Sequence, residues 1–351
     1  MKNICLLLIW VGLSVIGQAM PLWSAKDYYE KGIDRFRAGE YQKAADDFEY
    51  ASFKWDDATV SIDSVKYMRQ LAIDCKIHKD SGDVMYEHRL YVEAYKHYEF
   101  VCKHNLYDSQ CREMMGVCMR KGNKGAFANM VMMEPSHFKM GRNGGPANEQ
   151  PCHVVHLTPY YIDKSEVSNA EFALFLNIKG IYSKDGNKRM DVFSPKSHIK
   201  YDKKTGWFSV EKGYDNYPVL GVTWYGAHDY ALWVGKSLPT EAQWEYAFGD
   251  AKENDGDYYH NVGNGTPNKF GIYGMSDNGR EWVEDWYSDT AYECSDLQNP
   301  EQHEILEYKS IRGGQSLDDD FNPATFRDYE PPTYSGGNIG FRCVKNITHN
   351  K

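Results

Sequence analysis

Residues 218–248, PVLGVTWYGAHDYALWVGKSLPTEAQWEYAF, decide how this chain folds. Val219, Gly221 and Thr223 begin an extended run. Ala227, Tyr230, Ala231 and Val234 then recur at steps of three and four, which places them on one face of a helix. Gly235 ends that helix, because glycine takes the left-handed C′ position without steric cost. Thr240 and Gln243 stand in capping-box register, so the hydroxyl and the side-chain amide each satisfy a backbone N–H. Pro239 keeps Leu238 extended. Trp244, Tyr246 and Phe248 supply roughly 150–250 Å² of burial apiece. The stretch predicts strand, helix, tight turn, helix.

Five further blocks stand in order around it. They are Phe138-Lys-Met-Gly141, the run YIDKSEVSNAEF at 161–172, NKFGIY at 268–273 with Glu281-Trp282 behind it, Arg312-Gly-Gly314, and Gly340-Phe-Arg-Cys343. Together these blocks resemble the formylglycine-generating-enzyme (sulfatase-modifying factor) family. The resemblance implies an α+β chain whose residues 130–346 form a loop-rich, C-type-lectin-like domain. It says less about activity, because one fold hosts many functions.

The resembling enzymes oxidise a substrate cysteine to formylglycine with two active-site cysteines, whose thiolates hold copper(I), a soft ion that selects sulfur. That pair lies between the Arg-Gly-Gly and Gly-Phe-Arg motifs. Here the interval is 315–338, QSLDDDFNPATFRDYEPPTYSGGN, and it holds no cysteine. Asp318 and Pro323 fall where the thiols belong. Copper is therefore not expected, and a binding or scaffold role is. The alternative is a family enzyme using another, metal-dependent site, in a groove lined by Asp318, Arg327, Trp282 and residues 179–215. Asp318, Asp319 and Asp320 form either a solvated turn or part of such a groove. The family also implies a calcium ion near the Glu-Trp motif, here through Glu281 and the carbonyls of Asp277 and Gly279. Gly274 departs from the family's Asp or Asn. Iron-dependent relatives take histidines from a helical domain, but His78, His88, His97 and His104 contain no His-x3-His pair. Other relatives are non-enzymatic parts of envelope machines or binding proteins.

The net charge of −10 and the absence of a basic run argue against nucleic acid and anionic membrane surfaces as partners. Residues 1–19 read as a secretory leader, with Lys2, an apolar Ile4–Ile16 and Gly17-Gln18-Ala19 as cleavage site. That predicts export to the periplasm or cell surface, no integral membrane segment in the mature form, and an envelope protein or glycan as partner. Residues 26–125 read as an all-α repeat region. Gly32, Phe36, Tyr41, Ala44 and Phe48 return fifty residues later as Gly82, Tyr86, Tyr91, Ala94 and Tyr98, a tetratricopeptide-like alternation of small and large. Val65, Met68, Leu71, Ala72 and Cys75 predict another helix, giving three per unit, and 121–125 a linker. His153 and His156, three apart in a strand, point to opposite faces and share no metal. Ser168 with Glu171 predicts a capped helix carrying Phe172, Phe175 and Leu176. Residues 179–215 read as a polar surface insertion, and 249–350 as mostly irregular. Cys102 pairs with Cys111 or Cys118 more readily than those two pair with each other, since seven residues of helix span about 10 Å.

Overall fold

The computed structural model describes residues 23–54, 60–105, 107–122, 129–194, 197–252, 258–315 and 320–347. The leader at 1–19, Asp318 and residues 123–125 of the linker lie outside the described residues. The chain forms two compact units, Met1–Met115 and Gly116–Lys351. No described helix is long and apolar enough to cross a membrane.

The first unit is helical: α1 Ala25–Arg37, α2 Tyr41–Phe53, α3 Ile62–Glu87, α4 Tyr91–His104 and the start of α5 Ser109–Gly122, which runs past Met115. Ser24 and Asp27 cap α1 reciprocally. Successive helices pack because glycines admit rings: a Cβ at Gly32 would lie 2.7 Å from Phe48, and one at Gly82 2.9 Å from Tyr98. The expected three-helix unit is not what forms. Val65 through Tyr86 lie on one 26-residue helix, α3, because no proline interrupts it and Gly82 is used for packing rather than as a stop. α5 runs to Gly122, so the linker starts later than expected. We expect Gly82→Ala to destabilise this unit by about 1 kcal/mol in urea denaturation. Overpacking costs about 1–3 kcal/mol and outweighs the helix-propensity gain of about 0.5–1 kcal/mol. An unchanged or higher midpoint would show that Tyr98 yields freely.

The second unit carries β1 Met130–Met133, β2 Ser136–Met140, β3 His153–Leu157, β4 Tyr160–Asp163, α6 Asn169–Lys179, β5 Ile199–Asp202, β6 Trp207–Val210, α7 Trp224–Trp233, α8 Glu241–Phe248, β7 Arg280–Trp286, β8 Lys309–Arg312, β9 Arg327–Glu330, β10 Ile339–Gly340 and β11 Val344–Asn346. The largest sheet has the order β10-β7-β8-β9, parallel only between β10 and β7, and β1-β4-β11 makes a second. β7 separates two apolar clusters. Trp282 faces Phe172, Phe175, Tyr230 and Phe341, while Val283 on the opposite pleat faces Tyr160, Ile162, Trp244 and Val344.

The caps at Ser168/Glu171 and Thr240/Gln243 form as the residues dictate, and Gly235 has φ +75°. Three expectations change. Residues 218–223 are not a strand: Val219 and Gly221 donate to Val167 and Ile339 carbonyls, Gly221 bends the chain at φ +76°, and Thr223 caps α7. Residues 249–350 contain the main sheet, with Glu281 and Arg312 on neighbouring strands. The 179–215 segment is not mere surface. Met190, Val192, Ile199 and Phe208 enter the first cluster, and Asn177 locks Phe208 through both its N–H and its C=O. Arg189 is buried there, bonded to Asp229 and to the carbonyls of Lys179 and Gly180.

Candidate functional site

The capping box starts α8 at Glu241, and this register turns Glu241 and Glu245, one helical turn apart, toward β8 and β9. Glu241 accepts from Arg327 Nε at 2.7 Å and Nη2 at 2.9 Å, from Arg312 Nη1 at 3.0 Å and from Ser310 Oγ at 2.6 Å. Glu245 accepts from Arg312 Nη2 at 2.5 Å and from the Gly141 N–H at 2.7 Å. The guanidiniums also donate to backbone: Arg312 to Ala324, and Arg327 to Asn148 and Ser288. Burial pushes the Glu241 carboxyl up, but the Arg327 charge and hydrogen bonds, with Arg312 and Ser310, outweigh it and hold the group at about 2. Glu245 goes the other way, because burial outweighs its single guanidinium partner. Thr325 adds a hydroxyl bond to Glu149, which also pairs with Arg142 at 2.7 Å, and Arg142 reaches Asp320. Asp320, Thr325 and Arg327 thus anchor their part of the loop between the Arg-Gly-Gly and Gly-Phe-Arg motifs.

Beside this network lies a cleft of about 300 Å³, lined among others by Asp285, Tyr292, Glu293, Cys294, Glu301 and Gln302. Asp285 accepts from the Glu241 and Gln302 N–H groups at 2.8 and 2.9 Å. Burial and the Glu241 charge push its carboxyl up to about 8.

Trp282 and Arg327, read from sequence as groove-lining, are buried instead. Trp282 is fully buried and its Nε1 donates to the Val222 carbonyl at 2.8 Å. Arg327 is buried against Glu241. Asp318 lies outside the described residues. The signal missed was the pair of carboxylates at 241 and 245, one turn apart on a mostly apolar helix, with two arginines downstream to match them.

Calcium was expected at Glu281, Asp277 and Gly279, and the residues as packed do not fit it. Both Glu281 oxygens accept from Arg342, Nη2 at 2.7 Å and Nε at 2.9 and 3.0 Å, and one also accepts from Trp244 Nε1 at 2.9 Å. The guanidinium supplies the positive charge a cation would bring. Asp277 faces His260 Nε2 at 3.1 Å, and Gly279 has φ +113°. No group of three or more His, Cys, Asp or Glu among the described residues is placed to hold a metal. Copper fits no better: in this unit Cys343 is buried, Cys152 half-buried and Cys294 exposed, all unbridged, and no thiol lies in 315–338. The helical unit's Cys75, Cys102, Cys111 and Cys118 are also free, so the expected Cys102 pairing is not made.

Glu166 shares the Arg342 guanidinium at 3.7 Å, and among the described residues no other residue donates a hydrogen bond to its oxygens. A Cβ at residue 274 would overlap Glu166 Oε1, so Gly274 is the space this carboxyl occupies. Burial pushes Glu166 up to about 8, against Arg342 and with the Glu281 and Asp277 charges adding. A folded value above the ordinary 4.5 means that stability falls as pH rises from about 4.5 to about 8. Glu166→Gln removes that slope. In urea denaturation we expect the variant to gain on the natural chain steadily between pH 5 and pH 8. A constant difference would mean Glu166 is ionised throughout.

The family model described as the sulfatase-modifying factor enzyme 1-like domain matches residues 116–261 and 248–347. The chain belongs to this family. It is 34% identical over 238 residues to the Chlamydia pneumoniae protein called serine/threonine-protein kinase pkn1, covering 62% of this chain and 38% of that protein. The formylglycine-generating enzyme of Streptomyces coelicolor is 29% identical over 279 residues, covering 62% of this chain and 88% of the enzyme. The chain thus spans less than half the length of the chlamydial relatives and most of the Streptomyces enzyme. The solved structure of PvdO from Pseudomonas aeruginosa aligns at 22% identity and a TM-score of 0.46, covering 62% of this chain and 94% of that one.

Proposed function

We propose that this chain is a non-catalytic member of its family, an exported binding or scaffold component of the cell envelope. The observation that supports this reading is the thiol-free interval 315–338, in which Arg327 pairs with Glu241, Asp320 pairs with Arg142, and the Thr325 hydroxyl donates to Glu149. Soft-metal redox chemistry needs sulfur donors there, and the side chains present are oxygen and guanidinium donors. The kinase name of the chlamydial relatives is not carried over, since 62% of each of those proteins has no counterpart here to compare.

The test is direct. The purified chain, supplied with copper(I), a cysteine-bearing peptide and oxygen, should consume no oxygen and form no peptide aldehyde above a protein-free control. Immobilised, it should retain a discrete envelope protein or glycan. Aldehyde formation in proportion to protein would overturn the proposal.

A further inference from the structure

His78 on α3 and His97 on α4 face each other with their Nδ1 atoms 3.2 Å apart. Both side chains are half-buried, so solvent ions reach them. The packing that seats Tyr98 against Gly82 brings them together, since His78 lies one turn before Gly82 and His97 is next to Tyr98. Phe100 holds the His78 ring, stacked at 3.8 Å and 13°. His104 also packs on Phe100, but its Nδ1 is directed to the Phe100 carbonyl at 2.8 Å.

Two imidazole lone pairs this close need a shared positive centre. A proton on one nitrogen supplies it, and so does a metal ion. Zn–N bonds are about 2.0–2.1 Å, which at a tetrahedral angle separates two ligand nitrogens by roughly 3.3–3.4 Å. Asp74, one turn earlier on α3, adds negative charge.

We propose that His78 and His97 form a two-imidazole site for a divalent transition-metal ion of the zinc and copper class, clasping α3 to α4. Imidazole suits both metals, and water fills the remaining positions, so the ion exchanges freely. The pair precedes residue 116, where the family match begins, so it is a feature of the helical unit alone.

The untagged full chain in metal-free buffer is titrated with Zn²⁺ by calorimetry and with Cu²⁺ by electron paramagnetic resonance. One ion should bind with a Cu²⁺ spectrum split by two imidazole nitrogens, and Zn²⁺ should raise the melting temperature. His78→Gln and His97→Gln should each weaken binding at least tenfold, while His104→Gln leaves it unchanged. Circular dichroism checks that each variant keeps its helices. Unchanged affinity in the His78 and His97 variants, or fewer than two coordinated nitrogens in the natural chain, would overturn the proposal; the nitrogen count needs no variant.

Discussion

Glu241→Ala is expected to destabilise the second unit by about 3–5 kcal/mol, the cost of stranding buried charge. The carboxylate is one acceptor for two fully buried guanidiniums, from β8 and β9, and for the Ser310 hydroxyl. Among the described residues, deleting it leaves Arg327 hydrogen-bonded to the carbonyls of Asn148 and Ser288, and Arg312 paired with Glu245. The pH dependence has a definite sign. The folded carboxyl sits at about 2, below its ordinary 4.5, so its contribution is present above 4.5 and is lost as pH falls toward 2. Guanidinium-chloride midpoints measured from pH 7 down to pH 2.5 should therefore fall less steeply in Glu241→Gln than in the natural chain. A loss under about 1 kcal/mol at pH 7 would mean that water reaches the network and screens it.

Arg342→Met should be comparably damaging, again about 3–5 kcal/mol. Its guanidinium neutralises Glu281, approaches Glu166 and donates to the carbonyls of Tyr273 and Gly274, all buried. Without it two carboxylates face each other in the core at pH values above about 8, where Glu166 ionises. The effect should be non-additive with Glu166→Gln, because removing one carboxyl relieves the repulsion that the first change exposes. We expect the double variant to recover at least about 1 kcal/mol relative to the sum of the singles. Strict additivity would show that Glu166 does not feel Arg342. The pairing bears on function as well: while Arg342 occupies Glu281, that carboxylate has no vacancy for a hard cation.

Local signals carried far. The boxes at Ser168/Glu171 and Thr240/Gln243 are satisfied by atoms three residues apart, so residue order alone suffices to place them. Gly32 and Gly82 were legible as small partners for Phe48 and Tyr98 because both copies repeat the alternation. The candidate site was less legible. Arg327 reads as a groove residue, yet it is buried against a carboxylate 86 positions away. Trp282 reads as an available ring, but an extended segment sixty positions earlier takes its N–H.

By itself the order of residues determined the family, the α+β division into a helical and a loop-rich part, and the absence of sulfur between 315 and 338. Only the tertiary structure decided that α3 continues unbroken, that 179–215 enters the core, and that Glu281 answers to Arg342. The reason is range. Caps and helical faces depend on neighbours three or four residues away, whereas the desolvation of a charge and the partner that compensates it depend on which distant segments the fold brings together.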